Sequence, residues 1–394
     1  MPIVVLKYGG KSVATTEHLK AIARHIIRVK ASGEDPVVVV SAMGDTTDRF
    51  LQMASEITDR PRARELDMLL SVGERISIAL LALAINAEGP YEAVSLTGSQ
   101  VGIITDTHHT QARILEVRCG RIHEVLDKGQ IPIVAGFQGV STEKEITTLG
   151  RGGSDTTAVA LAAALGASQC RIMKDVEGVY SADPRQVPQA HVIERLNYDQ
   201  MLEFSATGSK VLATDAVALA RQHGVEISVG LASTGAVGTI ITSGDFSGSG
   251  VRGIVALRNL TALRLHRSED LAHVLGDLRA EGLTIRGLHS ETVRPVLLLD
   301  EVQPTLDALL KSSSWSKRIQ RYRRPFARIS CIGSALEPGG KHFGHLLSLL
   351  EEYGTRPLWF CCSPMRVSFC VLDGEVQELL GRLHLSLIAS PAKT

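Results

Sequence analysis

The run Pro36–Val40 constrains the fold most, because five consecutive apolar residues indicate a strand that is buried on both faces. Such strands belong to parallel sheets that helices cover on either side. A second apolar strand is predicted at Ile3–Tyr8, and apolar residues at helical spacing predict a helix over Glu17–Ala31 between the two. The order strand, helix, strand predicts an α/β fold with a mostly parallel central sheet flanked by helices.

Polar clusters follow both strands, at the edge where open α/β sheets bind their ligands. Lys7 is followed by Gly9 and Gly10 at the end of the first strand, and the polar segment Ser41–Asp48 follows the second. Further along, Glu74 is a lone acid directly before a strongly apolar stretch. A half-buried carboxylate needs a partner, so Glu74 is a candidate site residue.

A third cluster, Thr147–Asp155, holds three glycines, a guanidinium, a hydroxyl and a carboxylate between a predicted strand, Ile131–Gly136, and an alanine-rich predicted helix, Thr156–Leu165. Backbone amides at such a helix N-terminus can bind an anion, and Arg151 adds a rigid fork of donors. The alternative is a glycine-rich turn capped by Ser154 or Asp155. The stretch alone favours neither interpretation.

Cations predominate among the polar groups near predicted strand ends, as a polyphosphate ligand requires. The groups are Lys7, Gly9, Gly10, Ser41, Thr47, Glu74, Arg151, Ser154, Asp155, Lys174, Asp175, Arg185 and Lys210. Gly10-Lys11-Ser12 resembles the end of a P-loop, but position 5 is valine where that motif needs glycine. Gly150–Asp155 resembles a dinucleotide-binding fingerprint, but it ends in aspartate where that motif needs glycine or alanine. No nucleophile–histidine pairing occurs in these loops, and His108 and His109 are interpreted as surface or helix-capping residues.

Composition limits the partners and the location. Among 394 residues, 42 basic side chains balance 42 acidic ones, which gives no reason to expect nucleic acid or a membrane surface as a partner. Six cysteines without metal-ligand spacing and the absence of a signal peptide predict a cytoplasmic protein. The apolar run 76–85 is too short for a bilayer and predicts a buried helix.

Several domains are expected at this length. We predict a catalytic domain at 1–243, a linker at 244–250 and two similar β-α-β-β-α modules at 251–315 and 326–394, separated by a basic linker at 316–325. The basic run at 316–325 is typical of a solvated linker. Within the catalytic domain, a helix is predicted over Tyr198–His223, with Lys210 near its middle.

Six ordered motifs together resemble the aspartokinases of the amino acid kinase family, in the bacterial form with tandem ACT domains. The motifs are Lys7–Gly10, Val40–Asp48, Leu69–Glu74, Gly136–Gly139, Thr148–Asp155 and Asp175–Arg185. The resemblance implies the amino acid kinase fold with two C-terminal ACT-like modules of ferredoxin-like α+β type. It also implies ATP- and Mg²⁺-dependent phosphorylation of the β-carboxylate of L-aspartate, and a homodimer or larger assembly paired through those modules.

The resemblance also implies roles for individual residues. Lys7 and Asp155 would be catalytic, with Asp155 orienting Lys7 or the metal–phosphate unit. The nucleotide would be bound by Lys7, Tyr8, Gly9, Gly10, Lys174, Asp175, Tyr180, Arg185 and Lys210. The amino acid would be bound by Ser41, Thr47, Glu74, Arg151, Gly152, Gly153 and Ser154, with Arg151 on a carboxylate and Glu74 on the α-ammonium. No metal ligand is assigned to the protein.

Two kinds of departure from the family pattern stand out. Lys11 replaces a small hydroxyl residue, and Lys174 stands where threonine or serine is common. The usual effector motifs of the ACT region are replaced at Leu265–Asp270, Ser334–Gly340 and Cys361–Pro364. The expectation is therefore an active enzyme with reduced or absent feedback inhibition by lysine and threonine. The alternatives are a kinase for another carboxylate substrate and a catalytically weak regulatory subunit.

Overall fold

The computed structural model describes residues 1–244, 250–290, 294–300, 304–322 and 325–388. The chain forms two compact units, one of Met1–Val179 with Val192–Phe246 and the other of Tyr180–His191 with Ser247–Thr394. Each unit has its own sheets and its own apolar cores. Most of the predicted linker, 245–249, lies outside the described residues.

The first unit is built from strands that alternate with helices. The strands are β1 Ile3–Tyr8, β2 Asp35–Val40, β3 Ala93–Leu96, β4 Ile103–Thr105, β5 Ile114–Val117, β6 Ile131–Ala135, β7 Gln138–Ser141, β8 Ile146–Thr148, β9 Gln169–Lys174, β10 Arg195–Asn197, β11 Ile227–Leu231 and β12 Val237–Thr242. The helices are α1 Thr16–Ala31, α2 Thr46–Ile57, α3 Ala63–Leu70, α4 Val72–Glu88, α5 Gly98–Val101, α6 Gly120–Asp127, α7 Gly153–Leu165, α8 Tyr198–Thr207 and α9 Thr214–His223.

The main sheet of this unit has the strand order β10-β12-β11-β9-β1-β2-β6-β3. Its pairings are parallel except for β11 with β12, which confirms the predicted mostly parallel sheet. A smaller sheet, β5-β4-β7-β8, carries the strand that leads into the glycine-rich cluster.

Side-chain alternation assigns the two faces of β1. Leu6 and Tyr8 pack into a core with apolar side chains of α1 and α4, including Ile26 and Leu81. Lys7 lies between them in sequence and therefore points to the opposite face. The apolar core thus holds the strand in place while it presents one lysine to the other side of the sheet.

The helical stretch 63–88 is long and apolar enough to cross a bilayer by length and composition alone. Half of its most apolar window is buried inside the fold, where α4 contributes Leu81 and Ile85 to the core. The apolar run 76–85 is therefore a helix, as predicted, but it is buried on one side only, since Ile76 is 43% and Leu83 is 65% exposed.

The predicted single helix Tyr198–His223 is wrong in its middle. It is two helices, α8 and α9, joined by residues 208–213. Gly208 ends α8 with a φ of 122°, a conformation that other residues rarely adopt. Lys210 consequently lies on an exposed loop rather than on a helix.

The second unit contains the remaining elements. The strands are β13 Val251–Leu265, β14 Ile285–Ser290, β15 Pro295–Asp300, β16 Ile319–Arg321, β17 Phe326–Gly333, β18 Phe360–Ser363 and β19 Arg366–Leu372. The helices are α10 Leu271–Ala280, α11 Pro304–Lys311, α12 Ser313–Ser316, α13 Lys341–Glu352 and α14 Val376–Leu387. The arrangement is α+β, as predicted for ACT-like modules.

The two predicted modules share one sheet, which the repeat pattern did not indicate. β13 pairs with β15 through its second half and with β17 through its first half, giving the order β14-β15-β13-β17-β19-β18. The structure also differs from prediction at Ile319–Arg321, in the predicted basic linker, which is a strand paired with β13. Arg321 there forms an ion pair with Asp307 at 2.8 Å.

Candidate active site

The ends of the parallel strands gather several of the predicted site residues at one edge of the main sheet. Lys7 of β1 is in register with Val39 of β2 and with Ile172 of β9, so all three strands end at nearly the same level. Backbone hydrogen bonds continue this alignment past the strands, because the Ser41 amide donates to the Tyr8 carbonyl at 3.2 Å. The loops after β1, β2 and β9 therefore lie side by side.

A buried ion cluster lies at this edge and consists of Lys7, Asp155 and Lys174. The Lys7 ammonium is 2.6 Å from Oδ1 of Asp155, and the Lys174 ammonium is 3.1 Å from Oδ2 of the same carboxylate. Lys7 and Asp155 are each 4% exposed. Two cations thus share one anion, which leaves a net positive charge in a nearly dry setting.

The pKa values follow from burial and from these charges. Burial alone would raise the pKa of the Asp155 carboxyl, but the charges of Lys7 and Lys174 outweigh it and lower the pKa to about 2. Burial lowers the pKa of the Lys174 ammonium, and the Asp155 carboxylate opposes that change. Asp155 is consequently ionised at neutral pH and holds both lysines at this edge.

Two glycines allow the segments around this cluster to approach one another closely. A Cβ at Gly10 would lie 2.8 Å from the carbonyl oxygen of Ala42, and a Cβ at Gly73 would lie 2.7 Å from the Cβ of Ala42. Any larger residue would separate the loop after β2 from β1 or from α4. The close packing brings Glu74, in the first turn of α4, toward the cluster.

Glu74 has one satisfied and one unsatisfied carboxylate oxygen. Oε1 accepts a hydrogen bond from the Ala42 amide at 2.9 Å, and Oε2 has no partner among the described residues. The side chain is nearly completely buried, and this burial raises its pKa to about 7 although the Lys7 charge acts against it. Among the described residues, this oxygen is thus left available to a hydrogen-bond donor from outside the protein.

The glycine-rich cluster forms a turn that starts α7. Gly150 and Gly152 have φ values of 74° and 82°, and α7 begins at Gly153, earlier than predicted. Asp155 therefore lies in the first turn of the helix, where the exposed amide groups favour a negative charge. Arg151 is exposed on the turn and forms no ion pair with any side chain in the described ranges.

Close contacts also hold the flanks of this turn. A Cβ at Gly136, just after β6, would lie 2.8 Å from the Cβ of Ser154. A Cβ at Gly152 would lie 2.5 Å from the Cβ of Ala213, at the end of the loop that carries Lys210. The structure thus places Ser154 against the sheet edge and the Lys210 loop beside the glycine-rich turn.

The other predicted residues are less closely connected to the cluster. Ser41 directly follows β2, and Thr47 is in the first turn of α2. Asp175 follows Lys174 and forms an ion pair with Lys11 at 3.0 Å, with both side chains largely exposed. Tyr180 and Arg185 belong to the second unit, in which Arg185 forms an ion pair with Asp183 at 2.7 Å.

Asp67 is among the buried polar groups of the first unit that the interpretation of the sequence missed, and it contacts Thr148, which directly precedes the glycine-rich turn. Asp67 of α3 is fully buried, and its Oδ2 lies 2.6 Å from Nδ1 of His109, a residue interpreted as a surface or helix-capping histidine. Aspartate among the charged residues of an amphipathic helix gives no sequence signal of burial. Only the tertiary packing reveals the pair.

Known proteins similar to this chain are amino acid kinases. Residues 2–230 match the model of the amino acid kinase family. An aspartokinase of Corynebacterium efficiens is 50% identical over 98% of this chain and 96% of its own length. An aspartokinase of Geobacillus stearothermophilus is also 50% identical, over 98% of this chain and 97% of its own length.

Solved structures show the same fold. E. coli aspartokinase III, in complex with aspartate and ADP, aligns with a TM-score of 0.78 and 23% identity over 98% of this chain and 100% of its own. Aspartate kinase from Clostridium acetobutylicum aligns with a TM-score of 0.70 and 18% identity over 97% of this chain and 99% of its own. The predicted resemblance is confirmed, and the chain belongs to the aspartokinases of the amino acid kinase family.

Proposed function

We propose that this chain transfers the γ-phosphoryl group of ATP to the β-carboxylate of L-aspartate, with 4-phospho-L-aspartate and ADP as products. The observation that carries the proposal is the buried cluster of Lys7, Asp155 and Lys174 next to the unpartnered carboxylate oxygen of Glu74. The cluster suits a phosphoryl group, and Glu74 suits an ammonium group. Together they fit a donor and an amino acid acceptor at one edge of the sheet.

The acceptor needs no general base, because a carboxylate is already ionised at neutral pH. Catalysis then consists of bringing two anions together and neutralising the charge that builds up between them. Lys7 is the residue best placed for that role, since Asp155 holds it at the end of β1 next to the amides of Gly9 and Gly10. Asp155 fixes the position of Lys7 and takes no proton in the reaction.

The amino acid is held from two sides. Glu74 Oε2 accepts a hydrogen bond from the α-ammonium, and the free guanidinium of Arg151 binds a carboxylate in a two-pronged contact. The amides of Gly152 and Gly153 and the hydroxyls of Ser41, Thr47 and Ser154 supply the remaining contacts. This arrangement distinguishes an amino acid from a simple dicarboxylate, which has no ammonium group for Glu74.

The nucleotide is bound in the first unit by Lys7, Gly9, Gly10, Lys174, Asp175 and Lys210. Of Tyr8 only the backbone is assigned to it, because the side chain is buried in the core, where its hydroxyl lies 2.8 Å from Nδ1 of His25. Tyr180 and Arg185, of the second unit, remain predictions from the resemblance.

The described residues contain no group of three or more histidine, cysteine, aspartate or glutamate side chains suited to a metal ion. The residues assigned to the nucleotide are mostly lysines and glycines, which suit phosphates better than a metal ion. They fit Mg²⁺ that is held mainly by phosphate oxygens and water, as Mg²⁺ commonly is at nucleotide sites. Mg²⁺ then supplies charge neutralisation on the phosphates, and no side chain is assigned as its ligand.

Three further properties belong to this proposal. Lysine and threonine inhibit the enzyme weakly or not at all, because the usual effector motifs are replaced at Leu265–Asp270, Ser334–Gly340 and Cys361–Pro364. The protein forms a homodimer or a larger assembly through its ACT-like sheet, as the resemblance implies. It acts in the cytoplasm, where ATP and free amino acids are available.

The substrate assignment is tested by measuring ADP release with purified protein, ATP and Mg²⁺ over a panel of acceptors. L-Aspartate, L-glutamate, N-acetyl-L-aspartate and succinate separate the contributions of chain length and of the α-ammonium. We expect the highest kcat/KM with L-aspartate and a large loss with the acetylated compound and with succinate. Preference for an N-acetylated acceptor would contradict the role of Glu74, and no turnover of any acceptor would favour a regulatory subunit.

Replacement of Lys7 tests the catalytic assignment. Lys7→Ala is expected to lower kcat by about 100- to 1,000-fold, as is common when one preorganised donor to a developing charge is removed. Lys11→Ala is the matched control, because the Lys11 side chain is 82% exposed and its ion pair is with the half-exposed carboxylate of Asp175. Full turnover by Lys7→Ala would refute the proposed role, provided that the variant melts like the wild type.

A further inference from the structure

Asp67 joins three segments of the first unit through a single buried carboxylate. Its Oδ1 accepts hydrogen bonds from the hydroxyl of Thr148 at 2.5 Å and from the amide of Thr110 at 3.0 Å. Its Oδ2 is 2.6 Å from Nδ1 of His109. Asp67 and Thr148 are fully buried. Neither the phosphoryl transfer nor the substrate contacts described above use this group.

Two of these contacts lead to the turn that carries Arg151. Thr148 ends β8 and directly precedes the glycine-rich turn, and its carbonyl oxygen accepts a hydrogen bond from the Ala112 amide at 2.9 Å. The carbonyl oxygen of Thr110 lies 3.2 Å from the place that a Cβ at Gly150 would occupy. The loop 106–112 therefore packs against the base of the turn.

This loop is held in an unfavourable conformation. Thr110 has a φ of 67°, in the left-handed region, where a β-branched residue is strained by about 1–2 kcal/mol. Both carboxylate oxygens of Asp67 lie within 3.1 Å of the Thr110 amide and hold it in place. Without the carboxylate, the loop is expected to relax away from Gly150.

The C-terminal end of α3 leads to Glu74. The carbonyl oxygen of Asp67 accepts a hydrogen bond from the Ser71 amide at 3.0 Å, and the carbonyl oxygen of Ser71 accepts one from the Gln138 side chain at 2.8 Å. Ser71 directly precedes α4, whose first turn contains Glu74. The Asp67 side chain thus holds the Arg151 side of the proposed amino acid site, and the backbone of the same helix leads to the Glu74 side.

We propose that Asp67, with His109 and Thr148, is a positioning residue that sets the place of Arg151 relative to Glu74 and thereby the affinity for the amino acid substrate. The proposal rests on the proposed function of this site. Arg151 forms no ion pair with the described side chains, so its place depends on the backbone of the turn. The nucleotide side is held separately, through the pairing of Asp155 with Lys7 and Lys174.

The experiment compares KM for the acceptor with KM for ATP in Asp67→Asn, Thr148→Val and Thr148→Ser. Asp67→Asn keeps the size but places an amide against groups that donate to a carboxylate. We expect it to raise KM for aspartate at least tenfold and to leave KM for ATP within twofold. Thr148→Val should raise KM for aspartate by less, and Thr148→Ser, which keeps the hydroxyl, should restore it.

Asp106→Asn is the matched control on the same loop. Asp106 accepts hydrogen bonds from the amides of His108 and Arg113, at 3.2 and 3.1 Å, without contacting the glycine-rich turn. We expect this variant to match the wild type in both KM values. Direct binding of the acceptor, followed by calorimetry, should show the same order of affinities as the KM values.

Three results would overturn the proposal. The first is that the variants melt at a lower temperature but keep both KM values of the wild type. The second is that KM for aspartate and KM for ATP rise equally, and the third is that Asp106→Asn raises KM for aspartate as much as Asp67→Asn does. If Asp67→Asn does not fold, Thr148→Val and His109→Gln decide the question. If the wild type prefers another acceptor, the proposed substrate is wrong, and the same variants are tested with the acceptor that it does phosphorylate.

Discussion

At the scale of single residues, the proposed active site contains two buried lysines and one buried carboxylate. Two lysines share the carboxylate of Asp155, which is kept ionised by them although burial opposes ionisation. Because each ammonium has three donors, the two lysines can bind the oxygens of a phosphoryl group while Asp155 holds them in place. Lys174 is the unusual member, since the family resemblance leads to an expectation of a small hydroxyl residue there.

Lys174→Ser removes this additional cation. Lys7 would then be the only ion-pair partner of Asp155 among the described residues. The phosphates would lose one charge-assisted contact, worth about 1.5–3 kcal/mol. We expect KM for ATP to rise about tenfold or more, with KM for aspartate nearly unchanged, in steady-state assays. Lys11→Ser, which breaks only the exposed pair with Asp175, should change KM for ATP less than twofold. Equal effects of the two variants would contradict the special role of Lys174.

Glu74 should give the reaction a pH dependence. Its pKa is raised to about 7 by burial, and only the ionised form can bind an ammonium group. Because the carboxylate gains ionisation as the pH rises, kcat/KM for aspartate should increase by about tenfold between pH 6 and pH 8. Glu74→Gln should show a higher KM for aspartate and lose this rise. A rise that persists in Glu74→Gln would assign the titration to another group.

At the scale of secondary-structure elements, the sequence is most informative where apolar periodicity is strong. The strands β1 and β2 and the helix α1 lie within one residue of their predicted bounds, because continuous apolar runs and helical spacing both require burial. The helix predicted over Tyr198–His223 was wrong because its apolar pattern continues across residues 208–213, where Gly208 breaks the backbone. The pairing of Asp67 with His109 could not be predicted, since it joins residues far apart in sequence.

Gly152→Ala tests the junction between the glycine-rich turn and the Lys210 loop. The added methyl group would lie 2.5 Å from the Cβ of Ala213, so α7 and the loop must separate. A shift of about 1 Å in substrate-binding groups can cost about 100-fold in kcat/KM, and we expect a loss of that order. The measurement is kcat/KM for both substrates together with the free energy of unfolding.

Gly129→Ala is the control for backbone strain alone. Gly129 has a φ of 73°, close to that of Gly152, and open space where the methyl group would lie. It should lose about 1 kcal/mol of stability, the usual cost of a left-handed conformation, and retain its activity. Activity in Gly152→Ala equal to that of Gly129→Ala would show that the contact with Ala213 has no part in function.

At the scale of the whole molecule, the second unit contains one continuous sheet rather than two separate modules. β13 is long enough to pair with β15 and with β17, so the two sequence repeats are joined through their first strands. Each repeat still has its own core, one with α10 and the other with α13 and α14. The repeat pattern in the sequence shows the helices and strands of each half but contains no information about which strand ends pair.

The sheet also locates the segments in which the usual effector motifs are replaced. Leu265 is the last residue of β13, and the Cys361–Ser363 part of the third segment belongs to β18. Exposed Cys361 and half-buried Cys362 supply no charge for the ammonium or carboxylate of an amino acid effector. These residues favour a fold that is retained without its usual effector contacts.

Feedback inhibition is therefore expected to be weak or absent. Allosteric effectors commonly change affinity about 5- to 150-fold, so their loss is easy to detect. With ATP, Mg²⁺ and aspartate near its KM, we expect lysine, threonine or both to change the velocity less than about twofold, which is below that range. Thermal unfolding with each amino acid reports binding independently of turnover and should show no shift. Fivefold inhibition, or a clear rise in melting temperature that accompanies inhibition, would show that an effector site exists in spite of the replaced segments.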